Sequence, residues 1–310
     1  MSRAVVFTEY GGPEVLHVVD AEAPRPGPGQ VRVRVMAAGV QPFDCLLRRG
    51  GTAGWRPAVF PQRLGQEFAG VVDAVGEGVR GVEPGAEVIG WAENACHAEH
   101  VVAEAAHLAP KPERMPWEEA GALTASGQTA ATALKALGVG PGAVRSGPTV
   151  LVHAAAGGVG GYAVQLARAW GARVIGTASE RNHGYLAGLG AEPVAYGAGL
   201  EERVRALAPG GVDVALDCAG TEEALRVSVS LVRDPGRIGS IAAWAHAAAY
   251  GVRLLGTERS AGQLAELTAL HDRGALRIPV WKTFALDDAA KAHHEVETGH
   301  ARGKVVLVVG

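Results

Sequence analysis

Hydrophobic and polar positions follow two different rhythms along the chain, and the change falls near residue 120. From Met1 to about Ala122 apolar residues come in short runs, clearest in "VRVRVMAAGV", where they alternate with polar ones at a period of two. That spacing puts successive side chains on opposite faces of an extended chain and predicts half-buried strands. "AVVFTEYGGPEVLHVVD", "FAGVVDAVGEGV", "GAEVIGWA" and "AEHVVA" continue the pattern, punctuated by the Pro/Gly-rich connector Pro24 to Gly29. The prediction is an antiparallel, barrel-like β domain.

After Pro116, "WEEAGALTASGQTAATALKALGV" reads as a helix, and from Thr149 strands alternate with helices. The strands are "TVLVHA", "ARVIGTA", "VDVALDCAG" and "GRIGSIAAW", with "VRLLGTE" beyond them, and "GYAVQLARAWG" and "HGYLAGLGA" are helical stretches between the early ones. Strand, helix and strand with glycine punctuation predicts a parallel, doubly wound sheet. The tail, from "SAGQLAELTALHDRGAL" through "DDAAKAHHEVETGHARGKVVLVVG", adds two helices and a closing strand.

Composition changes the picture little but excludes much. At 310 residues the chain exceeds what one core fills, roughly 250 to 300 residues, so two domains are expected. A 48% hydrophobic and 20% charged composition with a net charge of -3 offers no field for nucleic acid or an anionic membrane surface. No apolar run approaches the ~20 residues of a membrane helix, and no signal peptide is expected from "MSRAVVFTEYG", which reads as a strand. Cys45, Cys96 and Cys218 are scattered and form no C-x-x-C pair, so a reducing cytoplasm is the expected compartment.

The chemistry is concentrated in "HAAAGGVGGYAVQLA". A strand ending at about His153 and a helix beginning near Gly160 leave Gly157, Gly158 and Gly160 in the strand-to-helix turn. There, free N–H groups and the positive helix end favour a pyrophosphate, and glycine lets backbone approach it closely. An NAD site ordinarily ends the next strand in a carboxylate for the ribose hydroxyls. This strand ends in Thr177, Ala178 and Ser179, followed by Glu180 and Arg181. Ser179 and Arg181 can bind a 2′-phosphate that a carboxylate would repel, so NADPH is the expected cofactor.

"AAGVQPFDCLLRRG", "LGQEFAGVVDAVGEGV", "PGAEVIG", "HAAAGGVGGYAVQLA", "VDVALDCAG" and "TGHARGKVVLVV" occur in the order shown by the medium-chain dehydrogenase/reductase superfamily. Within it, the chain resembles the zinc-independent quinone oxidoreductase group, with its zeta-crystallin-like and enoyl reductase members. The resemblance implies an α/β chain with a GroES-like β-barrel-type catalytic domain, residues 1–122 completed by 264–310. Residues 123–263 would form a doubly wound parallel-sheet Rossmann domain binding NADP, with the active site in the cleft and a homodimer or homotetramer as the assembly. Cofactor contacts are expected from Ala156, Gly157, Gly158, Val159, Gly160, Ser179, Arg181, Tyr196, Cys218, Ala219, Ala242, Ala243 and Lys304. Tyr196 would lie near the adenosine phosphate, and Lys304 would close over the cofactor phosphates or be a solvated surface lysine.

Zinc alcohol dehydrogenases of the superfamily carry a metal-binding Cys at the position of Gln41 and a His at that of Gln66. An amide is a poor zinc ligand, and the segment from Val88 to Val101 is too short for a four-cysteine lobe, so no metal is expected. Cys96, His97 and His100 have a chelating spacing, but the family has ring side chains on this strand. His293 and His294 are expected to pack or to face solvent.

Without a Lewis acid, hydride addition favours a substrate that is already electrophilic, an enone or a quinone. The resemblance singles out Gln41 as the amide that orients substrate, and Asp44 as either catalytic or a structural partner of a nearby loop. Thr129 is expected at a helix start, bonding cofactor or serving as a cap. Many relatives place a Tyr after the Arg-x-Gly segment, where this chain has Trp55, which cannot donate a proton. Trp55, Trp91 and Trp244 are candidate pocket walls, or core residues by composition alone. The expected activity is reduction of an activated C=C bond or a quinone by NADPH. A zinc-free carbonyl reductase or alcohol dehydrogenase and a low-turnover NADPH-binding protein are the alternatives.

Overall fold

The computed structural model of the protein describes residues 1–142 and 147–310. In chain order the first elements are β1 (Ser2–Phe7), β2 (His17–Ala21), β3 (Gln30–Val40), α1 (Pro42–Arg48), β4 (Gln62–Arg63), β5 (Phe68–Val75), β6 (Glu87–Gly90), β7 (His100–Glu104), β8 (Leu108–Pro110) and α2 (Trp117–Ala136). The alternating part follows as β9 (Thr149–His153), α3 (Gly158–Ala169), β10 (Arg173–Ala178), α4 (His183–Gly188), β11 (Glu192–Ala195), α5 (Leu200–Leu207), β12 (Val214–Asp217), α6 (Glu222–Leu231), β13 (Ile238–Ser240) and β14 (Arg253–Leu254). The tail is α7 (Ala261–Asp272), β15 (Val280–Ala285), α8 (Ala289–Glu297) and β16 (Lys304–Val308).

These elements form two compact units. The first comprises Met1–Ala125, Arg259–Asp272 and Ile278–Gly310, and the second Ser126–Glu258 with Arg273–Arg277. The division falls at 125/126, three residues past the expected 122/123, and both positions lie inside α2, one continuous helix over residues 117–136. Arg273–Arg277 joins the second unit, where the Gln165 amide bonds both the N–H and the C=O of Arg277 at 2.7 and 3.0 Å.

In the first unit the order β15-β16-β3-β5-β6-β8 defines one sheet, with β7 also paired to β3. A smaller sheet of order β2-β1-β4 accompanies it. The period-two run of β3 buries Val31, Val33 and Val35 against Phe68, Val72, Val88 and Val101. Burying each such side chain stabilises by about 1.5–3 kcal/mol. The tail completes this unit: β16 pairs antiparallel with β3, and Val305, Leu307, Ala289 and Ala292 share a core with Val5 and Val40.

The second unit is a six-stranded sheet of order β11-β10-β9-β12-β13-β14, every pair parallel. That order reverses direction beside β9, where β10 and β12 flank it on opposite sides, and such a switch point opens a crevice at the carboxyl ends of the strands. Leu151, Ile175, Val194, Leu200, Val204, Leu225 and Ile238 form its core. Helix α3 begins at Gly158, earlier than the predicted Gly160, because Gly157 is extended (φ -78°, ψ -179°) and acts as the N-cap.

Candidate functional site

In the second unit, strand register gathers the expected cofactor residues on one edge. Ala178 of β10 pairs with Ala195 of β11, and Asp217 of β12 pairs with His153 of β9 and Ser240 of β13. The residues that follow these strand ends are therefore neighbours across the carboxyl edge: Tyr196, Ser179, Ala154 to Gly158, Cys218 and Ala219, and Ile241 to Ala243.

The central turn is closely built. Ala154 adopts φ +50°, a left-handed conformation unusual for a residue with a side chain, and its N–H donates to Thr177 Oγ1 at 3.1 Å. Gly157 N–H returns to Ala154 O at 3.0 Å, and the first helical bond runs from Gly161 N–H to Gly157 O. The N–H groups of Gly158, Val159 and Gly160 precede any intrahelical acceptor and carry the positive end of the helix. A Cβ at Gly160 would overlap Ala154 O and lie 2.8 Å from Ala155 Cα, so this glycine lets α3 rest on the turn.

Beneath the turn His153 is fully buried. Its Nδ1 faces Thr177 Oγ1 at 3.5 Å and its Nε2 faces Ser228 Oγ at 3.1 Å. Thr177 Oγ1 accepts from Ala154 N–H, and the Ser228 hydroxyl donates to Ala224 O at 2.7 Å, so the imidazole fits as the neutral Nε2–H form. Burial pushes its pKa down to about 4, against the pull of Asp217 and Glu223.

Asp217 and Ser240 escape a motif-based reading, yet they shape the walls next to the turn. The buried Asp217 carboxylate accepts from Ala219 N–H at 2.8 Å, Gly220 N–H at 3.1 Å and Ser240 Oγ at 2.6 Å. Ser240 Oγ in turn accepts from Ala242 and Ala243 N–H at 3.1 and 2.9 Å. The available sequence signal is a carboxylate closing the apolar strand "VALD". Desolvation and the adjacent Asp217 raise the Cys218 thiol pKa, and burial does the same at Cys45 and Cys96, which disfavours the thiolate at all three.

At the neighbouring strand end, Asn182 Nδ2 donates to Ser179 Oγ at 3.2 Å, leaving the hydroxyl proton for another acceptor. Arg181 is exposed, with no polar side-chain partner among the described residues, and Tyr196 is exposed as well. The loop carrying Tyr196 is fixed by Arg203, whose guanidinium donates to the carbonyls of Ala195, Ala198 and Gly197. Thr129 lies well inside α2 rather than at a helix start, so it caps nothing; its hydroxyl meets Thr257 Oγ1 at 2.8 Å. Trp244 is 59% exposed.

In the first unit Gln41 is the N-cap of α1. Its backbone N–H donates to Asp44 Oδ2 at 2.8 Å, and Gly65 N–H donates to Asp44 Oδ1 at 3.1 Å. Asp44, fully buried, thus holds a helix start and a loop. The Gln41 side chain lies on Glu67, with Nε2 donating to Oε1. Lys304, expected over phosphates or in solvent, is 2% exposed with its ammonium 3.1 Å from Glu67 Oε1, so its charge is neutralised there. Glu67 is a third residue that sequence reading misses, because its partner Lys304 stands at the far end of the chain.

Gln66 Nε2 donates to Asn94 Oδ1, and Asn94 sits at φ +52°. Trp55 is 59% exposed beside the Phe43 ring, so it is not a core residue. Trp91 is buried and stacked on His107, with centroids 4.5 Å apart, and offers a ligand little surface. His97 and His100 point to different partners, Gly39 O at 3.2 Å and Ser2 Oγ at 3.2 Å. Among the described residues no group of three or more His, Cys, Asp or Glu could hold a metal ion. His293 packs in the interior, 5.9 Å ring to ring from His97, and burial with nearby Arg48 holds its pKa well below the usual histidine range.

Comparison with known proteins agrees with both halves of this architecture. Residues 27–122 match the family described as alcohol dehydrogenase GroES-like domain, and residues 189–307 the family described as zinc-binding dehydrogenase. The chain is 34% identical to a quinone oxidoreductase of Pseudomonas aeruginosa, covering 99% of this chain and 100% of that protein. It is 35% identical to the pikromycin polyketide synthase component PikAII of Streptomyces venezuelae over 94% of its own length, and spans 8% of that much longer protein. A mycobacterial protein solved in complex with NADPH superposes with a TM-score of 0.85 at 30% identity, covering 99% of each chain. With the sheet order, the glycine turn and full-length identity above 30% in accord, the chain belongs to the medium-chain dehydrogenase/reductase superfamily, in its quinone oxidoreductase group.

Proposed function

We propose that the protein is an NADPH-dependent reductase that delivers hydride, without zinc, to an activated C=C bond of an enone or enoyl compound or to a quinone. The observation that carries this reading is the carboxyl edge of the parallel sheet. There a glycine-capped helix start at Gly157 adjoins a strand end where Ser179, rather than a carboxylate, directly follows the last residue of β10, with Glu180 and then Arg181 after it. The turn suits a pyrophosphate, and the exposed guanidinium and free hydroxyl proton suit a 2′-phosphate.

Zinc fits poorly on the chemistry of the donors. The amides of Gln41 and Gln66, where zinc relatives have Cys and His, are engaged with Glu67 and Asn94. Carbonyl oxygens of amides are weak zinc ligands beside thiolate or imidazole. Bound NADPH supplies the hydride, and the chain's residues have only to bind, orient and shield. Gln41 orients the substrate oxygen, Trp55 offers a flat apolar surface, and the proton comes from water or a cofactor hydroxyl, since an indole cannot serve as the acid.

The test is fluorescence titration with NADPH and NADH, followed by NADPH oxidation with a panel of quinones, enones and matching saturated ketones. Arg181→Ala should weaken NADPH binding about tenfold or more, as loss of a charge-assisted bond does, and leave NADH binding unchanged. Turnover of the ketones but not the enones favours carbonyl reduction, and tight NADPH binding with no turnover on the panel defeats the reductase reading.

A further inference from the structure

The geometry points to Glu67, held by Lys304, as a positioning residue that sets which way the Gln41 amide faces. This rests on Gln41 being the substrate-orienting amide of the proposed reductase. The two ends of a glutamine amide have nearly the same shape, and only hydrogen-bond partners tell them apart. An ionised carboxylate accepts and cannot donate, so the atom of Gln41 that meets Glu67 Oε1 must be the nitrogen.

Glu67 is held in place by donors from three separate parts of the first unit. Gln41 Nε2 and Lys304 Nζ share Oε1, the latter at 3.1 Å, and Ala125 N–H on α2 reaches Oε2 at 2.6 Å. All of this lies out of water: Glu67 is 0% and Lys304 2% exposed. An isolated carboxylate at such a place would be costly, and the ammonium offsets that cost.

The backbone cooperates. A Cβ at Gly39 would overlap Glu67 Oε1 and stand 3.1 Å from Gln41 Nε2, so a glycine there leaves the carboxylate and the amide room to meet. Asp44 fixes the Gln41 main chain from the other side. Gln41 is thus anchored at both ends, its backbone by Asp44 and its amide by Glu67, the arrangement that locks a flexible side chain into one functional orientation.

The experiment is a double-mutant cycle on the full chain with NADPH and an accepted enone or quinone. Glu67→Gln with Lys304→Met removes the carboxylate without leaving a lone buried charge, and a neutral partner accepts Gln41 either way round. In the native background this pair of changes should lower kcat about 10- to 100-fold while NADPH affinity stays the same. In a Gln41→Ala background it should lower kcat no further; equal losses in both backgrounds mean a merely structural role and overturn the proposal.

A second readout needs no turnover and no variant of Glu67. The side-chain amide of Gln41, identified by its absence from the nitrogen-15 spectrum of Gln41→Ala, should show one proton shifted downfield and slow to exchange. Two equivalent, fast-exchanging protons overturn the proposal whatever the kinetics. If the protected proton is present and the native protein reduces neither quinones nor enones, the reductase reading fails while the Glu67–Gln41 placement stands.

Discussion

Gly39 shows how much a single position carries. Its Cα faces the Glu67 carboxyl carbon so closely that a built Cβ would stand 2.8 Å from it, and three donors restrain that carboxylate from moving away. Gly39→Ala should therefore destabilise by about 1–3 kcal/mol, the usual cost of overpacking, and lower activity together with stability. Thermal unfolding with and without NADPH checks it, and an unshifted Tm would show that Glu67 can move freely. Nothing in "MAAGVQPF" marks this glycine apart from any turn glycine. The signal is its distance to a side chain that immediately precedes β5, which the fold creates.

At the level of elements, the glycines of α3 separate by what they touch. Gly160 rests on Ala154 O and Ala155 Cα, whereas the nearest atom to a Cβ at Gly161 is Tyr185 Oη at 3.4 Å, an ordinary contact. Gly160→Ala should lower both Tm and NADPH affinity by pushing the helix off the turn. Gly161→Ala should be neutral or stabilise by about 0.5–1 kcal/mol, because alanine favours the helix. Calorimetry and cofactor titration on the two variants decide this, and matching losses would show that the turn does not depend on close approach. The glycine pattern is legible because the turn is local to about ten residues. Strands β11 and β15 are not, and both are sheet edges. Pro193 interrupts β11, which an edge tolerates, and β15 buries no side chain fully, so the alternation that reveals β3 is missing.

For the whole molecule, two buried histidines link stability to pH. His153 and His293 have pKa values lowered in the fold by burial, to about 4 for His153, so between that value and about 6.5 the unfolded chain binds more protons. Their contribution is complete above about pH 6.5 and is lost as pH falls towards 4, on the order of 3 kcal/mol for His153. Tm should fall steadily from pH 7 to 5, and His153→Gln should flatten the slope; a Tm constant over that range would contradict the buried neutral imidazole. Self-association belongs to this scale too. We propose a homodimer or homotetramer formed through the edge strand β14, whose Arg253 and Leu254 are exposed. Leu254→Lys should then reduce the mass measured by light scattering, and a native monomer would end the proposal. The sequence by itself determined the two domains, the glycine turn and a strand β10 that ends without a carboxylate before Ser179, because period, turn chemistry and strand ends are properties of short segments. Only the tertiary structure decided that Glu67 meets Lys304 and Gln41 and that Asp217 meets Ser240, because those partners are brought together by strand register and chain reversal rather than by spacing.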